Sequence, residues 1–118
     1  MKPAISLSLA ILLHVFFGWA WTVLAGVLAG MWIPRRGWLV GAAVVALDWL
    51  LLVIWNYVVA GHEVSRMLTA VGGIIGNLPG PVVVGVTLLV GALLGMFGGL
   101  IGSSITALAR QSKTEAAA

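Results

Sequence analysis

Three long stretches of this sequence are almost free of charged side chains. Residues 4–33 and 82–109 contain no Asp, Glu, Lys or Arg, and residues 38–60 contain a single one, Asp48. A helix of about 20 apolar residues is enough to cross the roughly 30 Å hydrocarbon core of a bilayer. The sequence therefore predicts an all-α integral membrane protein, because only helices and closed barrels satisfy every backbone polar group in lipid.

The composition favours the same class of protein. Of the 118 residues, 62% are hydrophobic and only 8% are charged, whereas a soluble domain carries about 25% charged residues. The length allows one domain. The net charge of +3 comes from cations that lie beside apolar stretches, where they act as topology signals, so we expect the lipid bilayer and no nucleic acid as a partner.

We predict that residues 1–118 form one transmembrane domain with three spans. Two of them form an antiparallel hairpin around the turn at Pro34, Arg35 and Arg36, and the third is rich in glycine. The predicted bounds are about 4–33 for the first span, 38–60 for the second and 82–110 for the third, followed by a polar tail at 111–118.

Between the second and third spans, residues 64–78 have a different pattern. Large apolar residues recur there at i, i+3, i+4 and i+7, and the opposite face carries Ser, Arg, Thr, Gly and Asn. This spacing predicts an amphipathic helix, and about 15 residues are few for a span. We expect it to lie in the membrane interface. A re-entrant helix and a fourth span are the alternatives.

Lysine and arginine predict the orientation. With three spans, Arg35 and Arg36 share one side with Arg110 and Lys113 of the tail, and the remaining two cations share the other side. Cytoplasmic loops carry the excess of Lys and Arg, so we expect an N-out/C-in protein of a bacterial inner membrane. Arg35 and Arg36 are topology determinants and a candidate site for anionic lipid.

Small residues line one face of the third span. On a helical wheel, four glycines fall on one narrow face: Gly91, Gly95, Gly98 and Gly102. Small residues at this spacing allow helix backbones to approach closely in lipid. The face predicts a close helix contact, either with a second copy or a larger membrane subunit, or with the other helices of the same chain.

Two polar residues lie deep in the predicted spans. A charged carboxylate at the bilayer centre costs about 2.5–3.5 kcal/mol on insertion scales, so Asp48 should face protein or water. The turn sets the register of the hairpin, and counting inward from the outer ends of its two helices brings His14 within about two helical turns of Asp48. Asn56 lies on the edge of the same face as Asp48. These three residues form a candidate proton or ion site. The alternatives are a hydrogen bond that holds the hairpin together and pairing of Asp48 with a cation of a partner subunit.

No motif for catalysis is present. The chain has no cysteine, two distant histidines and one carboxylate within the spans, so we expect no enzyme, no cofactor and no metal site. The leading hypothesis is a small non-catalytic membrane subunit that packs through glycine-rich helix faces into a homo-oligomer or a larger complex. The alternative is an ion, proton or small-solute channel or transporter that works as an oligomer, including a holin-like pore, and uses Asp48.

Overall fold

The computed structural model describes residues 1–118 and contains helices and no β-strand, which confirms the predicted all-α class. Two 3₁₀ turns, Trp19–Trp21 and Pro34–Arg36, join the first three helices. The four α-helices are α1 (Lys2–Phe17), α2 (Thr22–Trp32), α3 (Gly37–Ile75) and α4 (Gly80–Ala117).

The first apolar stretch is not one helix, in contrast to the span predicted for 4–33. It breaks at Gly18, whose φ of 92° and ψ of 170° are accessible essentially to glycine alone. Ala10 packs in one cluster with Ala25 and Ala29. In a continuous helix Ala10 and Ala29 would lie about 28 Å apart. Helices α1 and α2 therefore form a hairpin that folds back at Gly18.

This hairpin packs on α3 with a defined direction. Ala10 shares its cluster with Val44, and one turn later His14 reaches Asp48, which is one turn after Val44. Helix α1 therefore runs parallel to the first part of α3. The same offset between the two helices places Lys2 level with Arg36, at the end of the molecule that contains the Pro34–Arg36 turn.

Helix α3 is kinked where the sequence predicts a boundary. Ala60 has a φ of −143° and a ψ of 47°, which is not helical, and helical geometry resumes after it. The part beyond the kink contains the predicted amphipathic segment and ends at Ile75, before the predicted 78. It packs against the start of α4: a methyl group on Gly80 would lie 3.5 Å from Cβ of Leu68.

Helix α4 runs beside both α2 and α3 and makes no contact with α1. It extends through the predicted polar tail to Ala117. The tail is rich in Ala, Lys, Glu and Gln, which are strong helix formers and continue the helix beyond the apolar part. Helix α4 and the segment Pro34–Ile75 are long and apolar enough to cross a membrane, whereas α1 and α2 are shorter.

Glycine provides the contacts that hold α4 in place. A methyl group on Gly99 would overlap the carbonyl of Gly37, and one on Gly95 would overlap the carbonyl of Gly41. On the α2 side, a methyl group on Gly98 would lie 2.6 Å from the carbonyl oxygen of Val23. The members of the predicted face, Gly91, Gly95, Gly98 and Gly102, are all buried, as is Gly99. In the structure this face packs on helices of the same chain.

Candidate functional site

Asp48 is completely buried on α3, where α1 covers it. Its Oδ2 lies 3.3 Å from Nδ1 of His14. Two features of the fold create this contact: the break at Gly18 turns α1 back along α3, and the small Ala10 and Val44 one turn earlier let the two helices approach. The structure thus brings together two of the three residues that the sequence groups into one polar site.

The hydrogen-bonding capacity of the pair is only partly used. Oδ1 of Asp48 is buried without a partner, and so is Nε1 of the neighbouring Trp49. The ring of His14 meets the ring of Trp49 edge to face, with centroids 5.9 Å apart and an angle of 76° between the planes. The His14 side chain is 26% exposed, and only its Nδ1 has a bonding partner.

The exposed edge of His14 faces an open cleft of about 500 Å³ between α1, α3 and α4. Its wall is mostly apolar and aromatic, with polar groups from His14, Asn56 and Thr87. The hydroxyl of Thr87 donates to the carbonyl of Val83 on its own helix. The lining residues are His14, Trp19, Trp49, Leu52, Val53, Asn56, Thr87 and Val90.

Asn56 does not join the Asp48–His14 pair. Its side-chain amide donates to the carbonyl oxygen of Leu52, at 2.7 Å, on its own helix. It lies two turns beyond Asp48, about 12 Å along α3. Trp19, Trp49 and Thr87 are cleft residues that the sequence reasoning did not include. Tryptophan is common in membrane helices, and Thr87 is distant in sequence, so no local pattern marked them.

The basic residues gather at one end of the molecule. Arg35 lies in the Pro34–Arg36 turn and lines a second cleft, of about 460 Å³, together with Arg110 of α4. Lys2 lies at the same end, because α1 is parallel to α3. At the opposite end, Arg66 follows the kink at Ala60.

The residues present do not resemble a metal centre, because no three His, Cys, Asp or Glu side chains cluster. Comparison of the chain with protein-family models, with curated proteins and with solved structures finds no match. The polar groups of the structure gather in two places, the Asp48–His14 pair with its cleft and the basic end.

Proposed function

We propose that this chain is a small, non-catalytic integral membrane subunit that assembles with other membrane helices, either further copies of itself or a larger complex. Burial supports the membrane location. Only 20 of 118 residues are buried, and many large apolar side chains on all helices are exposed. In water, exposed apolar surface on this scale would cause aggregation, whereas in lipid it matches the solvent.

The fold suggests how the chain sits in the bilayer. The part of α3 before the kink and α4 cross it, the α1–α2 hairpin enters from the Arg35 end and returns to it, and the part of α3 after the kink lies at the opposite interface. This arrangement replaces the three-span topology predicted from the sequence, which assumed one continuous helix over 4–33.

Charge then favours the orientation with both termini inside. Lys2 moves to the side of Arg35, Arg36, Arg110 and Lys113, so five of the six Lys and Arg residues lie at one end and only Arg66 lies at the other. The N-out/C-in orientation predicted from the sequence placed four Lys and Arg residues on one side of the membrane and two on the other. The larger imbalance supports a cytoplasmic location of the Arg35 end.

The cleft beside His14 is the observation that carries the assembly proposal. Asp48 lies about 16 Å along α3 from Gly37, near the middle of a hydrocarbon core of roughly 30 Å. At that depth an exposed imidazole edge has no water to bond with. The glycine face of α4 is already occupied within the chain. A helix from a partner that closes the cleft would shield His14 from lipid, so this side is the proposed interface.

Cysteine cross-linking tests this interface, since the chain has no cysteine of its own. Val90 lines the cleft, and its neighbour Leu89 on α4 does not; both are exposed. We expect Val90→Cys to form cross-linked products in native membranes several times more efficiently than Leu89→Cys. Products that also form with purified protein in vesicles would indicate a homo-oligomer. Equal cross-linking of the two variants, or none, would contradict the proposal.

A proton or ion pathway is the second candidate function, and the free Oδ1 of buried Asp48 favours it. Such a pathway needs a carboxylate that exchanges protons or ions while the assembly stays intact. We expect Asp48→Asn to abolish pH-driven or voltage-driven flux in reconstituted vesicles and to leave the Val90→Cys cross-linking pattern unchanged. Absence of flux with the unmodified protein would remove this candidate and leave the structural subunit.

A further inference from the structure

Two arginines from distant parts of the chain meet at the basic end. Arg35 lies in the turn after α2, and Arg110 lies near the end of the apolar part of α4. The hydroxyl of Thr106 donates to the carbonyl oxygen of Met31 at 3.3 Å. Arg35 lies four residues beyond Met31, in the Pro34–Arg36 turn that follows α2, and Arg110 is one turn beyond Thr106 on α4. This bond therefore fixes the register that places both arginines on the same cleft.

Neither guanidinium group has a partner within the protein. The single ion pair of the chain is His14 with Asp48, and neither guanidinium takes part in a hydrogen bond; the hydroxyl of Thr114 donates only to the backbone carbonyl of Arg110. Both side chains are exposed. The nearest acidic residue along α4 is Glu115, five residues beyond Arg110. Two like charges on one cleft without a carboxylate repel each other, and an anion between them would relieve the repulsion.

The rest of the cleft is suited to a lipid. Its other walls are Trp32, Ile33 and Pro34, which are apolar or aromatic. Trp32 is 38% exposed at the end of α2, and tryptophan at such a position sits at the level of the headgroups. Guanidinium groups bind phosphate oxygens in a bidentate manner. The cleft thus offers charge for a phosphate and an apolar wall for the start of an acyl chain.

The geometry points to a binding site for the phosphate of an anionic phospholipid, held between Arg35 and Arg110 with Trp32 beside its glycerol and acyl region. Free phosphate would use the two arginines and gain nothing from the apolar wall, which is why the lipid is the chosen ligand. The site differs from the sequence prediction, which paired Arg35 with Arg36. It lies away from the cleft beside His14 and is independent of the assembly proposal.

Native mass spectrometry of the full chain, released from neutral detergent, tests the site. The protein is titrated with phosphatidylglycerol and, separately, with phosphatidylcholine. We expect preferential retention of phosphatidylglycerol. Arg35→Gln and Arg110→Gln should each weaken its binding about five-fold, because one cation close to a lipid headgroup contributes about 1 kcal/mol. Arg35→Lys, which keeps the charge and loses the bidentate geometry, should fall between Arg35→Gln and the unmodified protein.

Arg36→Gln is the matched control, since Arg36 is an exposed cation of the same turn that does not line the cleft. It should change phosphatidylglycerol binding less than two-fold, because its guanidinium is not part of the cleft that holds the phosphate. An equal loss in Arg36→Gln and Arg35→Gln would overturn the site in favour of general attraction to the basic end. Absence of a preference for phosphatidylglycerol would also overturn it, and so would complete displacement of the lipid by inorganic phosphate.

Discussion

The contact between Asp48 and His14 is long for a hydrogen bond between charged groups. Charge-assisted N–H···O bonds are typically about 2.7–2.9 Å, and this one measures 3.3 Å. In a membrane protein, side-chain hydrogen bonds contribute on average about 0.6 kcal/mol. The pair is therefore expected to add little stability, even though Asp48 is completely buried.

A double-mutant cycle measures this contribution. We expect His14→Ala and Asp48→Ala each to lower the free energy of unfolding by about 1 kcal/mol. The double variant should deviate from the sum of the two by about 0.6 kcal/mol, because the two changes remove the same bond. Unfolding of the three variants in detergent supplies the numbers. Strict additivity would show that Asp48 and His14 do not interact, and Asp48 would then need a partner outside the chain.

Sequence reasoning placed His14 near Asp48 by a route that differs from the structure. It assumed two straight helices around the Pro34 turn, in which His14 and Asp48 would lie within about two helical turns of each other. The structure achieves the contact by folding α1 back at Gly18, so that the two residues share a level. Asn56 was grouped with them because it shares a helix face with Asp48. A shared helix face does not reveal that the side-chain amide of Asn56 donates to the carbonyl oxygen of Leu52 on its own helix.

At the scale of helices, the close contact of α4 with its neighbours depends on the absence of side chains. A methyl group on Gly99 would overlap the carbonyl oxygen of Gly37 and lie 2.7 Å from its carbonyl carbon. These are backbone atoms, which cannot turn aside as a flexible side chain can. The helices would have to separate to admit the methyl group.

We expect Gly99→Ala to lower the free energy of unfolding by about 1–3 kcal/mol, the usual cost of overpacking. Gly85 is the matched control on the same helix, because a methyl group there meets nothing within 4 Å. Gly85→Ala should be neutral or stabilising by up to about 1 kcal/mol, through helix propensity. Unfolding of both variants in detergent checks the difference. Similar stabilities would mean that α4 does not pack on α3 through this glycine.

The bounds of the helices were predictable where the polarity of the chain changes. The turn at Pro34 and the boundary near residues 61–63 both coincide with breaks in helical geometry, at Ile33 and Ala60. The break at Gly18 was missed because the residues on both sides of it are apolar and aromatic. In a membrane sequence, a glycine within an apolar stretch also fits a packing position, and only its φ angle distinguishes the two roles.

At the scale of the whole molecule, the proposed topology places the N-terminus, the Pro34–Arg36 turn and the polar tail at the same end. The topology predicted from the sequence put the N-terminus on the opposite side from the other two. Cysteines at Ala4, Arg36 and Ser112 report on that end, and one at Ser65 reports on the other; Ala4, Arg36, Ser112 and Ser65 are all exposed. We expect the first three to react with a membrane-impermeant maleimide from the same side of the membrane, and Ser65→Cys to react from the opposite side.

The alternative topologies give different labelling patterns in the same experiment. Labelling of Ala4→Cys from the side opposite to Arg36→Cys and Ser112→Cys would restore the three-span, N-out/C-in arrangement. With four spans, Ala4→Cys and Ser112→Cys would react from one side and Arg36→Cys from the other. Either pattern would contradict a hairpin that enters and leaves the bilayer at one face.

The last position of α4 in the chain has a consequence for biosynthesis. It follows every other helix in the chain, and yet it supplies the backbone surface against which both α2 and α3 pack. In the proposed membrane topology, the glycines of the nascent α2 and α3 that contact α4 stay open to lipid while α4 is still inside the ribosome. The α1–α2 hairpin, too short to cross the bilayer, then depends on α3 alone for support. In the proposed topology, the native arrangement can therefore form only once Gly102, the last of the buried glycines, has left the ribosome and reached the membrane.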